Sequence, residues 1–372
     1  MPMSGTISNV QCTLQGQGSA LTSGSYTITL MKNTVATGVT CGPMTASQAV
    51  SASAVVAGSG TVSFNAGDIL AWKSVPTSPS SSQSPLAGAE FTDASPIGNE
   101  APMCTTTGNG AETFTDFYWN GSGAGQTTDT KASFKFAAAG TIDNLYVNRS
   151  NTTAGIGTYT IYHNGSSTSL VASTVAGSYK AHDTDPTHAI TIALGDTMSV
   201  VPTNGGGTTA AQSTVCVRWR PTTPGQYVLG GTMISGFNAA SKRGTLGGGS
   251  PGNGNTTGSM IALPFAYGAG WCPTSCMTFS NFFVSATSAP TSLTLITTDY
   301  TDATGSANLT QNITTTNGTT DAGTPSLCSC SVTVTNSASS TTWKATDLLE
   351  INASVQSGTV SNNKWGMVVT VP

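Results

Sequence analysis

The chain has 372 residues, of which only 8% are charged, with a net charge of −4; an ordinary soluble domain carries about 25% charged residues. So little charge excludes a field that holds nucleic acid by its phosphates, and 37% hydrophobic content with recurrent Trp, Tyr and Phe excludes a disordered chain. No apolar run approaches the ~20 residues of a membrane-spanning helix; the longest, Ser259 to Trp271, is broken by Pro264, Gly268 and Gly270.

The first residues, MPMSGTISNVQC, contain no basic segment followed by an apolar one, so no signal peptide is expected. Gly5-Thr6-Ile7-Ser8-Asn9-Val10 opens a pattern of apolar, any residue, Asn, apolar. A strand is predicted next over Ser25 to Met31, where Tyr26, Ile28 and Leu30 alternate with polar residues. Ala66-Gly67-Asp68-Ile69-Leu70-Ala71-Trp72 closes the unit. Between Pro76 and Gln126 lies a Gly-rich connection that carries Phe117, Tyr118 and Trp119.

The opening pattern then returns. Gly140-Thr141-Ile142-Asp143-Asn144-Leu145-Tyr146-Val147 begins a second unit, followed by a predicted strand at Thr158 to Tyr162 and further alternation at Ile190, Ile192. Leu194-Gly195-Asp196-Thr197-Met198-Ser199-Val200 repeats the closing element, and Ser213 to Trp219 adds a last strand. A second Gly-rich connection, Pro221 to Trp271, carries Phe265, Tyr267 and Trp271. A third unit opens at Met277-Thr278-Phe279-Ser280-Asn281-Phe282-Phe283-Val284, continues at Ser292 to Thr297, and closes at Ala345 to Ile351 around Asp347, with a last strand at Lys364 to Val371. Two elements recurring three times in one order define three related domains, placed at residues 1–93, 94–221 and 222–372. With strong helix formers scarce and Thr, Val, Ser and Gly abundant, the expectation is all-β: three tandem antiparallel β-sandwich, jelly-roll-like modules with almost no helix. The aromatics of the two connections are expected to add an edge strand to the following sandwich or to pack on a neighbouring subunit. A fragment ending near Trp219 is expected to remain soluble as two modules.

Asp68, Asp196 and Asp347 recur just before strands, where a turn in which the carboxylate accepts a nearby backbone N–H explains all three better than catalysis does. His182, Asp183, Asp185 and His188 form the one dense group of ligand-type residues. Their spacing matches no compact metal motif, and Pro186 favours a solvated loop, so a metal or a pH-sensitive contact ranks below a plain loop. For the eight cysteines, buried free thiols rank first. Disulfides such as Cys12–Cys41 or Cys272–Cys276 rank second, and a zinc site built from Cys272, Cys276, Cys328 and Cys330 third. The four glutamates, Glu90, Glu100, Glu112 and Glu350, have no evident pairing, and no nucleophile elbow is present; no enzyme and no cofactor are expected.

The second copy, with Gly140 to Val147, TYTIYHNG over Thr158 to Gly165, and Gly195-Asp196-Thr197-Met198, resembles virion structural proteins of tailed bacteriophages built from tandem jelly-roll modules. Copy one matches with Gly5 to Val10, Tyr26 to Asn33 and Gly67 to Leu70. Copy three departs, having Met277-Thr278-Phe279 for Gly-Thr-Ile and Thr346-Asp347 for Gly-Asp. The resemblance implies a virion component made in the host cytoplasm, of the capsid decoration (cement), head-fibre or tail-fibre type. It implies partners such as the major capsid protein or a homotrimeric self, with no catalytic residues. A decoration protein is favoured; the alternatives are a tail-fibre subunit binding host polysaccharide and a bacterial surface filament protein. Neither nucleic acid nor membrane is an expected partner.

Overall fold

The computed structural model describes residues 1–15, 21–46, 56–94, 100–107, 134–150, 156–205, 213–233, 242–245, 263–264, 277–285, 292–300, 307–316, 326–334, 348–356 and 363–370. Among these, strands dominate, and the one helical element that lies wholly within the described residues is a single 3-10 turn at Pro186–His188. The fold is all-β.

The first module contains β1 (Gly5–Gln15), β2 (Ser25–Lys32), β3 (Val35–Met44), β4 (Val56–Ala57), β5 (Val62–Phe64), β6 (Leu70–Thr77) and β7 (Ser84–Asp93). One sheet sets β4 and β5 on one side of β1 and β7 on the other; the second has the order β3-β2-β6. All these pairings are antiparallel. Alternation does the work that the sequence promised: Tyr26, Ile28 and Leu30 turn inward and join Val10, Leu14, Val39 and Met44 in one core. The strand β7 is a difference from the sequence reading, which begins a connection at Pro76. That stretch first finishes the first module.

The second module repeats the plan with two additions. Its strands are β8 (Ala101–Thr107), β9 (Phe134–Lys135), β10 (Gly140–Arg149), β11 (Ile156–His163), β12 (Ser166–Ser173), β13 (Lys180–Asp183), β14 (Ile190–Ile192), β15 (Thr197–Gly205) and β16 (Ser213–Pro221). Here β10 lies between β16 and the pair β13, β14, as β1 lies between β7 and the pair β4, β5. The additions come from the chain ahead of β10: β8 from within the Gly-rich connection and β9 from just after it. Strand β8 pairs with the outer edge of β16, and β9 with the outer edge of β15, so each sheet gains a strand.

The third module has β17 (Gln226–Met233), β18 (Lys242–Thr245), β19 (Leu263–Pro264), β20 (Met277–Ser285), β21 (Ser292–Tyr300), β22 (Ala307–Thr316), β23 (Ser326–Val334), β24 (Leu348–Gln356) and β25 (Asn363–Thr370). Its sheets run β17-β25-β20-β23 and β18-β24-β21-β22, with β19 also on β24. Both connections thus supply strands to the sandwich that follows them. The second core does not end at its own module: Val228 of β17 and Val368 of β25 belong to the same buried cluster as Trp219 and Ile142. A cut after Trp219 therefore removes Val228 and Val368 from that cluster.

Glycine at the head of the opening strand has a steric cause. A Cβ on Gly140 would lie 2.3 Å from the Trp219 ring, and one on Gly5 would lie 2.6 Å from the Phe91 ring. These aromatics occupy matching registers, Ile142 facing Trp219 and Ile7 facing Phe91. In the third module the same register pairs Phe279 with Val369. Where the aromatic is gone, Met277 stands in place of glycine.

Candidate functional site

The repeated Asn of the opening strand is the most informative residue of the motif. Asn9, Asn144 and Asn281 take left-handed backbone conformations, with φ of 47°, 50° and 54°. Each sits where the pairing register of its strand shifts, which defines a β-bulge. Asn tolerates this region better than other residues with a Cβ, because its short amide bonds locally. A bulge also re-aims the side chain, and two of the three reach into the preceding module. Asn144 Nδ2 donates to the carbonyl of Pro2 at 3.2 Å, and Asn281 Nδ2 donates to the carbonyl of Ala137 at 3.0 Å.

Pro2 and Ala137 are equivalent positions, each three residues before the glycine of its opening strand. The segments around them are held alike. Gly67 N–H donates to Met1 O at 2.8 Å, as Gly195 N–H donates to Phe136 O at 2.9 Å. Nitrogen to oxygen, Met1 to Asp68 is 2.6 Å and Phe136 to Asp196 is 2.8 Å. One junction is therefore used twice. Its elements recur a third time: β25 lies against β9, and β7, the counterpart of β25, lies against β19, the counterpart of β9. Module 2 grips module 1, module 3 grips module 2, and module 1 meets module 3, so the contacts close a ring.

Charge gathers at the first of these junctions. A cleft of about 330 Å³ is lined by Pro2, Met3, Ser4 and Ala66 from one module and by Asn144 and Arg218 from the next, with Asp93, Ala94 and Glu100 between. Arg218 binds the buried Asp143 in a two-pronged pair, Nε to Oδ1 at 2.7 Å and Nη2 to Oδ2 at 2.9 Å, and reaches Glu100 Oε2 at 3.3 Å. Arg220 also bonds Asp143. Burial raises the Glu100 carboxyl above its ordinary value, against the pull of Arg218, while the Asp143 hydrogen bond raises the Arg218 guanidinium. Sequence reading leaves Glu100 unpaired because its partners lie 118 residues away along the chain. Glu90, likewise, takes the Asn9 amide. The arrangement neutralises its own charges and holds strands together; it leaves no aligned nucleophile and base.

Asp68 and Asp196 form matching latches. Asp68 Oδ2 accepts the Asn65 N–H at 2.8 Å and Oδ1 accepts the Asn33 amide at 2.7 Å. Asp196 Oδ2 accepts the Ala193 N–H at 2.8 Å and Oδ1 accepts the Asn164 amide at 2.9 Å. The Asn side chains in turn accept from Ile69 N–H at 2.9 Å and Thr197 N–H at 2.8 Å. Burial works against each carboxylate, but the amide donors outweigh it and hold both below the ordinary value, with Lys32 helping Asp68 and His163 helping Asp196. Asp347 lies outside the described residues.

The His182 group is not a loop throughout. His182 and Asp183 belong to β13 and point to opposite faces: His182 stacks on Tyr146 with ring centroids 5.4 Å apart, while Asp183 is buried. Asp183 Oδ2 accepts from Val171 N–H at 2.9 Å and pairs with His188 Nδ1 at 2.8 Å; Asp185 caps the 3-10 turn through Thr187. The four side chains do not converge, and no group of three metal-type ligands occurs among the described residues. Phe117, Tyr118, Trp119, Phe265, Tyr267 and Trp271 lie outside the described residues. The ranking of free thiols first is corrected for four cysteines: Cys12 bridges to Cys41 and Cys104 to Cys216. The second pair meets because β8 and β16 set these residues directly opposite, across a separation of 112 residues that sequence spacing does not reveal. Cys272 and Cys276 lie outside the described residues, and the side chains of Cys328 and Cys330 are likewise not described.

No family model matches the chain, and no curated protein matches it. Among solved structures, the major capsid protein P2 from Bacteriophage PM2 aligns with 73% of this chain and 98% of its own, at 8% identity and a TM-score of 0.19. The structure of Sulfolobus Turreted Icosahedral Virus aligns with 99% of this chain and 79% of that one, at 11% identity and a TM-score of 0.22. Tripeptidyl Peptidase 2 aligns with 92% of this chain and 29% of that one, at 8% identity and a TM-score of 0.19. TM-scores this low have no bearing on what this chain does.

Proposed function

We propose that the chain is a non-enzymatic structural component of a virus particle, with module boundaries at residues 1–93, 94–221 and 222–372, and within that class a capsid decoration protein. The observation that carries this reading is where the recurring motif is spent. Its bulge Asn is used at Asn144 and Asn281 to hold a neighbouring module. The buried carboxylates of Asp143 and Glu100 are likewise consumed in ion pairs with Arg218 and Arg220 inside module 2, beside that junction. The likeness of Gly140 to Val147 and Gly195 to Met198 to tailed-phage virion modules supports the same class. Low net charge suits contacts that hold across changes of ionic strength. The partner on this reading is the major capsid protein or another shell polypeptide. Quantitative mass spectrometry of purified particles tests it: hundreds of copies per particle are expected. A few tens or fewer would replace decoration with the tail-fibre reading, and absence from particles would overturn the virion assignment.

A further inference from the structure

The two sheets of modules 2 and 3 are each completed by a strand from the chain ahead of them. In module 2 these are β8 on β16 and β9 on β15; in module 3 they are β17 on β25, with β18 and β19 on β24. The counterpart of β15 and β24 in module 1 is β6, and among the described residues β6 pairs only with β2. No described residue pairs with its outer edge. Exposure records the consequence. Every residue of β6 from Ala71 to Thr77 is exposed, and Trp72 is 40% exposed, although its register partner Leu30 faces the core. The matching residue of module 2, Val200, is 0% exposed.

We infer that the outer edge of β6 is an acceptor for an extended segment of another polypeptide, which adds a strand to module 1 by backbone pairing. The other two modules indicate what fits. They place Phe134 opposite Met198 and Leu263 opposite Leu349, so the incoming strand carries a large apolar residue opposite Leu70. A second copy of β6 is a poor occupant, because edge-to-edge pairing brings Lys73 toward Lys73 and because Pro76 has no N–H to donate. The incoming strand is therefore neutral or acidic opposite Lys73. It also ends at Leu70 and Ile69, since Met1 already fills the place that Phe136 fills in module 2.

Residues 129–135, Asp-Thr-Lys-Ala-Ser-Phe-Lys, provide the probe, used as a synthetic peptide with Lys131→Glu to match Lys73. Added at millimolar concentration to the full chain, it is expected to slow hydrogen exchange over Leu70 to Val75 at least tenfold and to leave β15 unchanged. A peptide carrying Ala132→Pro and Ser133→Pro, which loses two central N–H donors and breaks the ladder, is expected to do neither. Fusing the same seven residues ahead of Met1 raises their effective concentration to the millimolar range or above and should reproduce the protection without free peptide. Equal slowing by the proline peptide, or no slowing with either the free or the fused segment, would overturn the inference.

Discussion

Modules 1 and 2 are built on the same seven strands, and their turns agree almost atom for atom, yet their closing strands live in different surroundings. Val200 and Met198 on β15 are buried, whereas Trp72 on β6 is 40% exposed. The latches at Asp68 and Asp196 have the same donors in the same places. Local turn chemistry is thus indifferent to whether the sandwich around it is complete. What differs is the supply of strands from the preceding chain: β8 extends the sheet at β16 and β9 extends the other at β15, and Phe136, next to β9, stacks on Trp219 with ring centroids 5.2 Å apart. Burial of the closing strand is a property of neighbours rather than of its own residues.

The largest effect that tests this contrast is on the two tryptophans. Trp219→Ala removes a fully buried ring from a packed cluster, and a loss of about 3–5 kcal/mol is expected. Trp72→Ala, at a partly exposed position, should cost roughly 1 kcal/mol or less by the usual size of surface substitutions. Urea unfolding midpoints of the two variants decide the matter. Similar losses would mean that β6 is as well covered as β15.

Next in size is the junction. Asn144→Ala gives up a side chain suited to positive φ, worth about 1–2 kcal/mol, and a hydrogen bond worth about 1 kcal/mol. Asn144→Gly keeps the backbone geometry and loses only the bond to Pro2, so about half the destabilisation is expected to return. Thermal unfolding of both, beside Asn9→Gly in module 1, separates bulge from junction. If Asn144→Gly is as damaging as Asn144→Ala, the junction bond and not the backbone dominates.

Much of this fold was legible in the sequence because its signals are local. Alternation at Tyr26, Ile28 and Leu30, and the paired Gly-Thr-Ile and Gly-Asp elements, depend on neighbours within a few residues. The pairing of Glu100 with Arg218, the bridge from Cys104 to Cys216 and the reach of Asn144 to Pro2 join residues more than 100 positions apart. Nothing in residue type or spacing marks such partners; they follow only once sheet order and register are known. The recurrent Asn was visible as a pattern, and its meaning was not, because a bulge exists only between two paired strands. The strand β7 was missed for a related reason: Ser84 to Asp93 holds small residues and lacks the strong alternation that marks β2.

The smallest expected effect concerns acid. The folded carboxyls of Asp68 and Asp196 lie below the ordinary value of 3.8. Their contribution to stability is therefore complete above that value and is lost as pH falls through the lowered folded value. Glu100 has the opposite sign: burial raises its folded value, so its ionisation opposes folding at higher pH and that penalty is relieved on acidification. Below about pH 4 loss of the latches should lower the melting temperature by a few degrees. Asp68→Asn and Asp196→Asn should each flatten part of that fall, and by similar amounts, since the donors match. Melting curves from pH 5 to pH 2.5 on the two single variants measure this. A fall removed entirely by one variant and untouched by the other would show that the latches, alike in geometry, are unequal in energy, and that completeness of the sandwich reaches even its turns.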